Sequence, residues 1–319
     1  MKRLVSIALI LVLIFALSAC SKPGTPVPTD FPEPEPETIE VPFPLESGDD
    51  IHTIAFVSDT QRYAYKDSTT NKDMIKALVD DKDKYGIEYV IHSGDLVQTP
   101  DKEDEWQVAK EAMSQLDGII PYGVLAGNHD QDSGDERFTL YTKYFGDATY
   151  SGCDYFAGSF ENCRAHAQLV TIGSNDFVVV YISDDPSKDC IEFANDIFGK
   201  YPDRIGILVT HKYLEPDLSL DEMGEYMLEK IVKPNANVKL VLCGHESVAG
   251  YLETKIDDER TVLQVMANYQ DAGTKGTMMY LQINEKAKTL TGISYSPVID
   301  SYEGYKNQSD DQFRVDLPW

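Results

Sequence analysis

Apolar runs alternate along the chain with segments of helical period. Ile54-Ala55-Phe56-Val57 is an unbroken strand-like run that ends in Ser58-Asp59-Thr60-Gln61. Met74, Ile75, Leu78 and Val79 then mark one face of a helix that Gly86 closes. Tyr89-Val90-Ile91 predicts the next strand and runs straight into His92-Ser93-Gly94-Asp95. A helix carrying Trp106, Val108, Ala109, Met113 and Leu116 follows, and Ile119 to Leu125 predicts a strand ending at Gly127-Asn128-His129-Asp130. Beyond a polar middle rich in Gly and Tyr, Phe177 to Ile182 reads as a strand, with a short helix around Ile191, Ala194 and Ile197. Ile205 to Val209 is a strand delivering Thr210-His211, and Val238 to Leu242 is another, delivering Gly244-His245. This alternation predicts an α/β architecture.

Five strands therefore each end in a residue able to bind a metal: Asp59, Asp95, Asn128, His211 and His245. Ligands of open α/β sheets bind in the crevice at the carboxyl ends of the strands, so these side chains are expected to converge. Singly, each has an ordinary explanation, since Asp caps turns and a lone His satisfies a local hydrogen bond. Together they mix carboxylate, amide oxygen and imidazole, a set that suits zinc, manganese or iron and excludes a thiolate site.

The two ends of the 319-residue chain differ in kind. Lys2 and Arg3 precede an apolar run from Leu4 to Leu17, shorter than the roughly 20 residues a membrane-spanning helix needs. Leu17-Ser18-Ala19-Cys20 closes it and resembles the bacterial lipoprotein signal, which implies removal of residues 1–19 and lipidation of Cys20. Residues 20–50 read as a tether: eight of the 16 prolines fall between Pro23 and Pro44, interleaved with Glu33, Glu35, Glu37 and Glu40. Residues 51–319 read as one catalytic-sized domain. The expected location is extracytoplasmic, anchored to the bacterial membrane by acyl chains. With 54 Asp+Glu against 28 Lys+Arg, the formal charge of -26 argues against nucleic-acid binding, which needs clustered cations. Phosphate chemistry on such a chain requires bound cations.

The ordered stations Asp59-Thr60-Gln61, Gly94-Asp95, Gly127-Asn128-His129-Asp130, His211 and Gly244-His245-Glu246-Ser247 resemble the signature of the calcineurin-like metallophosphoesterases. Within that family the chain looks similar to a secreted bacterial group that opens with Asp-Thr-Gln and carries Tyr269-Gln270-Asp271 and Tyr295-Ser296-Pro297 late in the chain. The resemblance implies a sandwich of two mixed β-sheets flanked by helices. It also implies two divalent or mixed-valence metal ions of the Mn, Fe or Zn class at the strand ends. By similarity, Asp95 bridges the ions, Asn128, His211 and His245 complete the second site, and Asp59 and Gln61 serve the first. The first site departs from the family pattern. Gln61 offers a neutral oxygen where many relatives have histidine, and Ser247 stands where a further imidazole is expected. Glu246 is out of phase to replace it. A low-affinity first site, one filled only with substrate phosphate, and an empty one all remain open.

The implied activity is hydrolysis of phosphomonoesters or phosphodiesters by a metal-activated water, with a phosphorylated small molecule or polymer as substrate. The alternative is a surface binding lipoprotein that keeps the fold and one metal. The resemblance gives His129 the part of general acid, with Asp130 behind it to fix its tautomer. Arg62 and Tyr63 follow the first motif on an expected loop over the metals, where an arginine fits substrate phosphate. His92 reads either as a support of the site or as a packed strand end, and His52 and His166 as structural. Four cysteines follow Cys20; three full pairings are open, and the spacing favours Cys153 with Cys163, while Cys243 reads as a core residue.

Overall fold

The apolar runs become strands because each face of each run has a layer to cover it. In β1 (Ile51–Val57), Ile54 and Phe56 point to one side and Ala55 and Val57 to the other, and all four are buried. The remaining strands are β2 (Ile87–His92), β3 (Tyr122–Val124), β4 (Phe156–Phe160), β5 (Ala165–Ile172), β6 (Asn175–Ile182) and β7 (Ile205–Thr210). They continue with β8 (Val238–Cys243), β9 (Ala249–Lys255), β10 (Thr261–Ala267), β11 (Met278–Asn284), β12 (Thr289–Tyr295) and β13 (Phe313–Asp316). This computed structural model describes residues 43–132, 137–272, 275–302, 304 and 311–319. The proposed signal segment, Cys20 and most of the tether lie outside them.

Two mixed sheets form, one in the order β13-β12-β11-β1-β2-β3 and the other β4-β5-β6-β7-β8-β10-β9. β1, β2 and β3 run parallel, as do β6, β7 and β8. Three apolar layers hold the sandwich together. Ile54, Phe56, Tyr89 and Ile91 of the first sheet meet Val179, Tyr181, Val209 and Leu242 of the second. Ala55, Val57 and Val90 pack on Met74, Ile75, Leu78 and Trp106 on the outer face of the first sheet. Val178, Val180 and Leu208 pack on Ile191, Ala194 and Phe198 outside the second. Burying one such side chain contributes about 1.5–3 kcal/mol, so these faces fix the register of the strands that carry the site. The expected sandwich of two mixed sheets with flanking helices is the fold found.

The flanking helices follow from capping and periodicity. Asp67 accepts from Thr70 N to cap helix Ser68–Asp80, and Ser187 accepts from Cys190 N to cap Lys188–Lys200. Gly86 does end its segment in a left-handed turn, φ 60°, but the helix is broken into Ser68–Asp80 and Lys82–Tyr85.

Other expectations need correction. The strand read over Ile119 to Leu125 is only Tyr122–Val124, because Ile119 and Ile120 donate back to Leu116 and Pro121 has no N–H to offer. The tether read over residues 20–50 is packed from Phe43 onward. Phe43 and Leu45 lean on the first apolar layer, and Glu46 N donates to Gln282 Oε1 at 2.8 Å. The Cys153–Cys163 pairing is absent: all four described cysteines are free thiols, and buried Cys163 donates to Asp147 Oδ1 at 3.2 Å instead. Cys243 is a buried core residue. His166 is buried and stacked on Tyr181 at 4.4 Å, while His52 sits 2.6 Å from Glu88 Oε1. No helix among the described residues is long and apolar enough to cross a membrane.

Candidate metal centre

The carboxyl ends of β1, β2, β3, β7 and β8 deliver their polar residues to one place. Backbone bonds tie the exits together: Asp59 N to Gly94 O at 3.1 Å and Gly244 N to His211 O at 3.0 Å. The loops are packed to the limit. A Cβ on Gly127 would lie 2.2 Å from Asp95 Oδ1, and one on Gly244 would lie 2.0 Å from Ser58 Oγ. Three of the candidate ligands also sit at left-handed backbone angles, Asp59 at φ 53°, Asp95 at φ 56° and His245 at φ 71°. Such angles cost a non-glycine residue about 1–2 kcal/mol, and strain of this kind gathers at functional sites.

Asp59, Asp95 and His211 are buried, with one ligand atom of each within 4.8 Å of the others. Asp95 is the hub. Its Oδ2 accepts from Gln61 Nε2 at 2.9 Å, its Oδ1 accepts from His129 N at 2.9 Å, and His211 Nε2 lies 3.3 Å from that Oδ1. His211 Nδ1 donates to the Ser93 carbonyl at 2.9 Å, so the neutral ring carries its lone pair at Nε2. That nitrogen faces Asn128 Oδ1 at 2.9 Å, and His245 Nδ1 faces the same oxygen at 2.9 Å.

The donor set fits a cation. Two atoms carry unshared pairs with no hydrogen-bond partner, Asp59 Oδ1 and Gln61 Oε1, and both are buried. A buried acceptor left unbonded is expensive, and a hard or borderline cation is what carboxylate and amide oxygens at one point would bind. The second cluster, Asp95, Asn128, His211 and His245, puts two imidazoles and two oxygens at one point, the set expected for Mn, Fe or Zn.

Burial governs the titration of these groups. It pushes the Asp59 carboxyl from 3.8 up to about 7, with His211 pulling it down and Asp95 adding to the rise. His211 is pulled down by burial, but Asp95 and Asp59 outweigh that and hold it above its ordinary value. Burial lowers His245 to about 4, assisted by His211, so its ring is neutral and able to ligate. A carboxyl that takes up protons on folding stabilises the folded state below its ordinary value, and that contribution is lost as the pH rises through about 7. The metal-free protein is therefore expected to lose stability between about pH 4 and about pH 7, with Asp130, which burial raises to about 8, adding to the loss. Manganese or zinc at roughly 100 times its Kd should raise Tm by about 5 °C or more at the upper pH and by less at the lower. Thermal unfolding with chelator and with metal at each pH checks this; an equal increment at both would refute the link to Asp59.

The remaining candidates divide. Asp130 is buried and does not hold His129. Its carboxylate accepts from Gly127 N at 2.8 Å, Leu96 N at 2.9 Å and Val97 N at 3.0 Å, so it ties the Asn128 turn to the Asp95 loop. The part assigned to Asp130 falls instead to Gln98, whose Nε2 lies 3.0 Å and carbonyl 3.3 Å from His129 Nδ1. His92 supports the site by joining two loops, with Nε2 2.9 Å from Thr60 Oγ1 and Nδ1 accepting from Gly94 N at 3.2 Å. The loop expected to carry Arg62 and Tyr63 is a short helix, Gln61–Lys66, and Tyr63 turns away from the centre; its hydroxyl accepts from Gly276 N at 3.0 Å. Arg62 is half exposed and paired with Asp271. Ser247 donates to Asp271 Oδ2 at 2.8 Å and is not aimed at the ligand cluster. Glu246 Oε1 is 3.5 Å from His245 Nε2. Sequence reasoning missed Gln98 and Asp184, the latter bonded to Gln131 Nε2 at 2.8 Å beside the centre, and singled out Asp271 in the Tyr269-Gln270-Asp271 motif without giving it a role. Of the two missed, only Gln98 had a signal, three residues after Asp95.

The fold and this strand-end cluster are those of the metallophosphoesterase class. Residues 52–249 match the family model described as calcineurin-like phosphoesterase, and the chain belongs to that family. The protein YvnB of Bacillus subtilis (strain 168), itself uncharacterized, is 31% identical over 303 residues, 91% of this chain and 24% of that protein. The chain thus spans about a quarter of that curated relative. Two solved structures share the fold. The purple acid phosphatase PPD1 from yellow lupin (Lupinus luteus) seeds has a TM-score of 0.56 at 16% identity, covering 86% of this chain and 55% of that one. A dimetal phosphatase from Danio rerio has a TM-score of 0.52 at 10% identity, covering 80% and 99%.

Proposed function

We propose that the chain hydrolyses phosphomonoesters or phosphodiesters with the help of divalent metal, at the outer face of a bacterial membrane to which a lipidated Cys20 tethers it. The observation that carries the chemistry is the convergence of His211 Nε2 and His245 Nδ1 on Asn128 Oδ1, each at 2.9 Å, beside Asp95. The location rests on the resemblance of Leu17-Ser18-Ala19-Cys20 to a lipoprotein signal and on the Pro/Glu-rich segment that follows.

Asp59, Gln61 and Asp95 would hold one cation, and Asp95, Asn128, His211 and His245 the other. Bound there, the cations would lower the pKa of water towards neutrality and neutralise phosphoryl oxygens. The chain's own residues do the rest. Ser93 fixes His211, and the N–H of His245 on Asp59 Oδ2 at 3.1 Å aligns the loop after β8 with that after β1. His129 is anchored by its N–H on Asp95 and by Nδ1 against Gln98, which leaves Nε2 to deliver a proton to the leaving oxygen.

The direct test is elemental mass spectrometry of the purified chain together with its rate on a chromogenic phosphoester. About two ions per chain with metal-dependent turnover is the expected result. One ion or none, with no turnover after manganese, iron or zinc is added, would overturn the proposal.

A further inference from the structure

Ser247, Asp271 and Arg62 form a brace across the side of the centre where a family imidazole is missing. Ser247 Oγ donates to Asp271 Oδ2 at 2.8 Å. The same carboxylate takes both terminal nitrogens of Arg62, Nη1 on Oδ1 and Nη2 on Oδ2 at 3.3 Å. A fork-to-fork pair fixes the plane of the guanidinium as well as its place. Arg62 directly follows Gln61, whose Nε2 reaches Asp95 at 2.9 Å. Ser247 lies two residues after His245, whose N–H reaches Asp59 Oδ2 at 3.1 Å. The brace thus links the exit of β1 to the exit of β8 beside Asp59. Its arginine is open to solutes, with side-chain exposures of 52% for Arg62 and 45% for Asp271.

We infer that Arg62 binds a phosphoryl oxygen and selects phosphomonoesters over diesters, with Asp271 and Ser247 as its positioning residues; the inference rests on the phosphoester reading above. A guanidinium has five N–H donors, and Asp271 engages two of them. The other three are bonded to no described residue, and their planar array matches phosphate. A monoester dianion has three non-bridging oxygens and a diester two. Cations held by the centre would neutralise two, which would leave the third, present only in the monoester, to the arginine.

The test compares wild type, Arg62→Gln, Arg62→Lys and Asp271→Asn, as full chains, on p-nitrophenyl phosphate and bis-p-nitrophenyl phosphate. Metal content and the affinity for inorganic phosphate, by calorimetry, are measured alongside. Losing a charge-assisted bond should raise the monoester KM of Arg62→Gln about tenfold or more, with a far smaller change in kcat. Its monoester kcat/KM should fall at least about tenfold further than its diester value, and phosphate should bind about tenfold more weakly at unchanged metal content. Arg62→Lys keeps the charge without the fork and should lie between, as should Asp271→Asn. Equal losses on both esters, or unchanged phosphate affinity in Arg62→Gln, would overturn the inference. A wild type that turns over neither ester sinks the hydrolase reading alone, because phosphate affinity still decides for or against Arg62.

Discussion

Asp95→Asn is expected to abolish phosphoester turnover by about 10³-fold or more while leaving the fold intact. Losing a group that only orients a metal ligand typically costs 10- to 100-fold, and Asp95 is placed to be a ligand to both cations. Its neighbours allow the change. Asparagine accepts the left-handed angle at this position, φ 56°, as readily as aspartate does. The amide oxygen can still accept from His129 N, and the new N–H₂ faces Gln61, whose unbonded Oε1 can turn to receive it. Removing a carboxylate also removes one of the influences that raise Asp59. The metal-free variant should therefore unfold at a temperature no lower than the metal-free wild type, whereas its metal content should fall below two per chain. Unfolding curves, elemental mass spectrometry and steady-state rates test the three statements together. Full metal loading with turnover within about tenfold of wild type would remove Asp95 from the bridging position.

The parts of this molecule legible in its sequence are those where burial is two-sided and the candidate ligands follow the strand exits. β1, β2, β6, β7 and β8 are parallel, covered on both faces, and read as nearly unbroken apolar runs. Because the exits from β1, β2, β3, β7 and β8 carry their polar residues within four positions of the strand end, the grouping of these side chains follows from order alone. β10 and β11 are less legible, because Gln264 and Gln282 interrupt their runs. Both are buried, and their partners are distant in sequence or on another strand: Thr254 Oγ1 at 2.6 Å for Gln264, and Glu46 N at 2.8 Å for Gln282. β4 and β5 are hidden in the Gly- and Tyr-rich middle, where β4 is a half-buried edge strand without an apolar run. Asp130 shows the limit for the site. Adjacency to His129 suggests a pair, but the tight turn Asn128–Asp130 sends the carboxylate back onto three backbone N–H groups. Arg62 pairs with Asp271, 209 residues away, which no local pattern reveals.

The leaving group decides what His129 does. If its Nε2 protonates the departing oxygen, His129→Asn should cost about 10²- to 10⁴-fold in kcat on an alkyl phosphate, whose alkoxide is a strong base. On p-nitrophenyl phosphate, whose leaving group departs without a proton, the loss should be about tenfold or less. The imidazole touches Gln98, and only the backbone of His129 reaches Asp95, so the substitution leaves every proposed ligand in place and metal content should be unchanged. Gln98→Ala should reproduce part of the alkyl phosphate loss, since the ring then keeps its anchor on the backbone but loses the amide at Nδ1. Rates on the two esters, measured with metal content for each variant, separate proton donation from ligation. A loss of equal size on both esters at full metal content would mean that His129 binds the phosphoryl group and donates no proton.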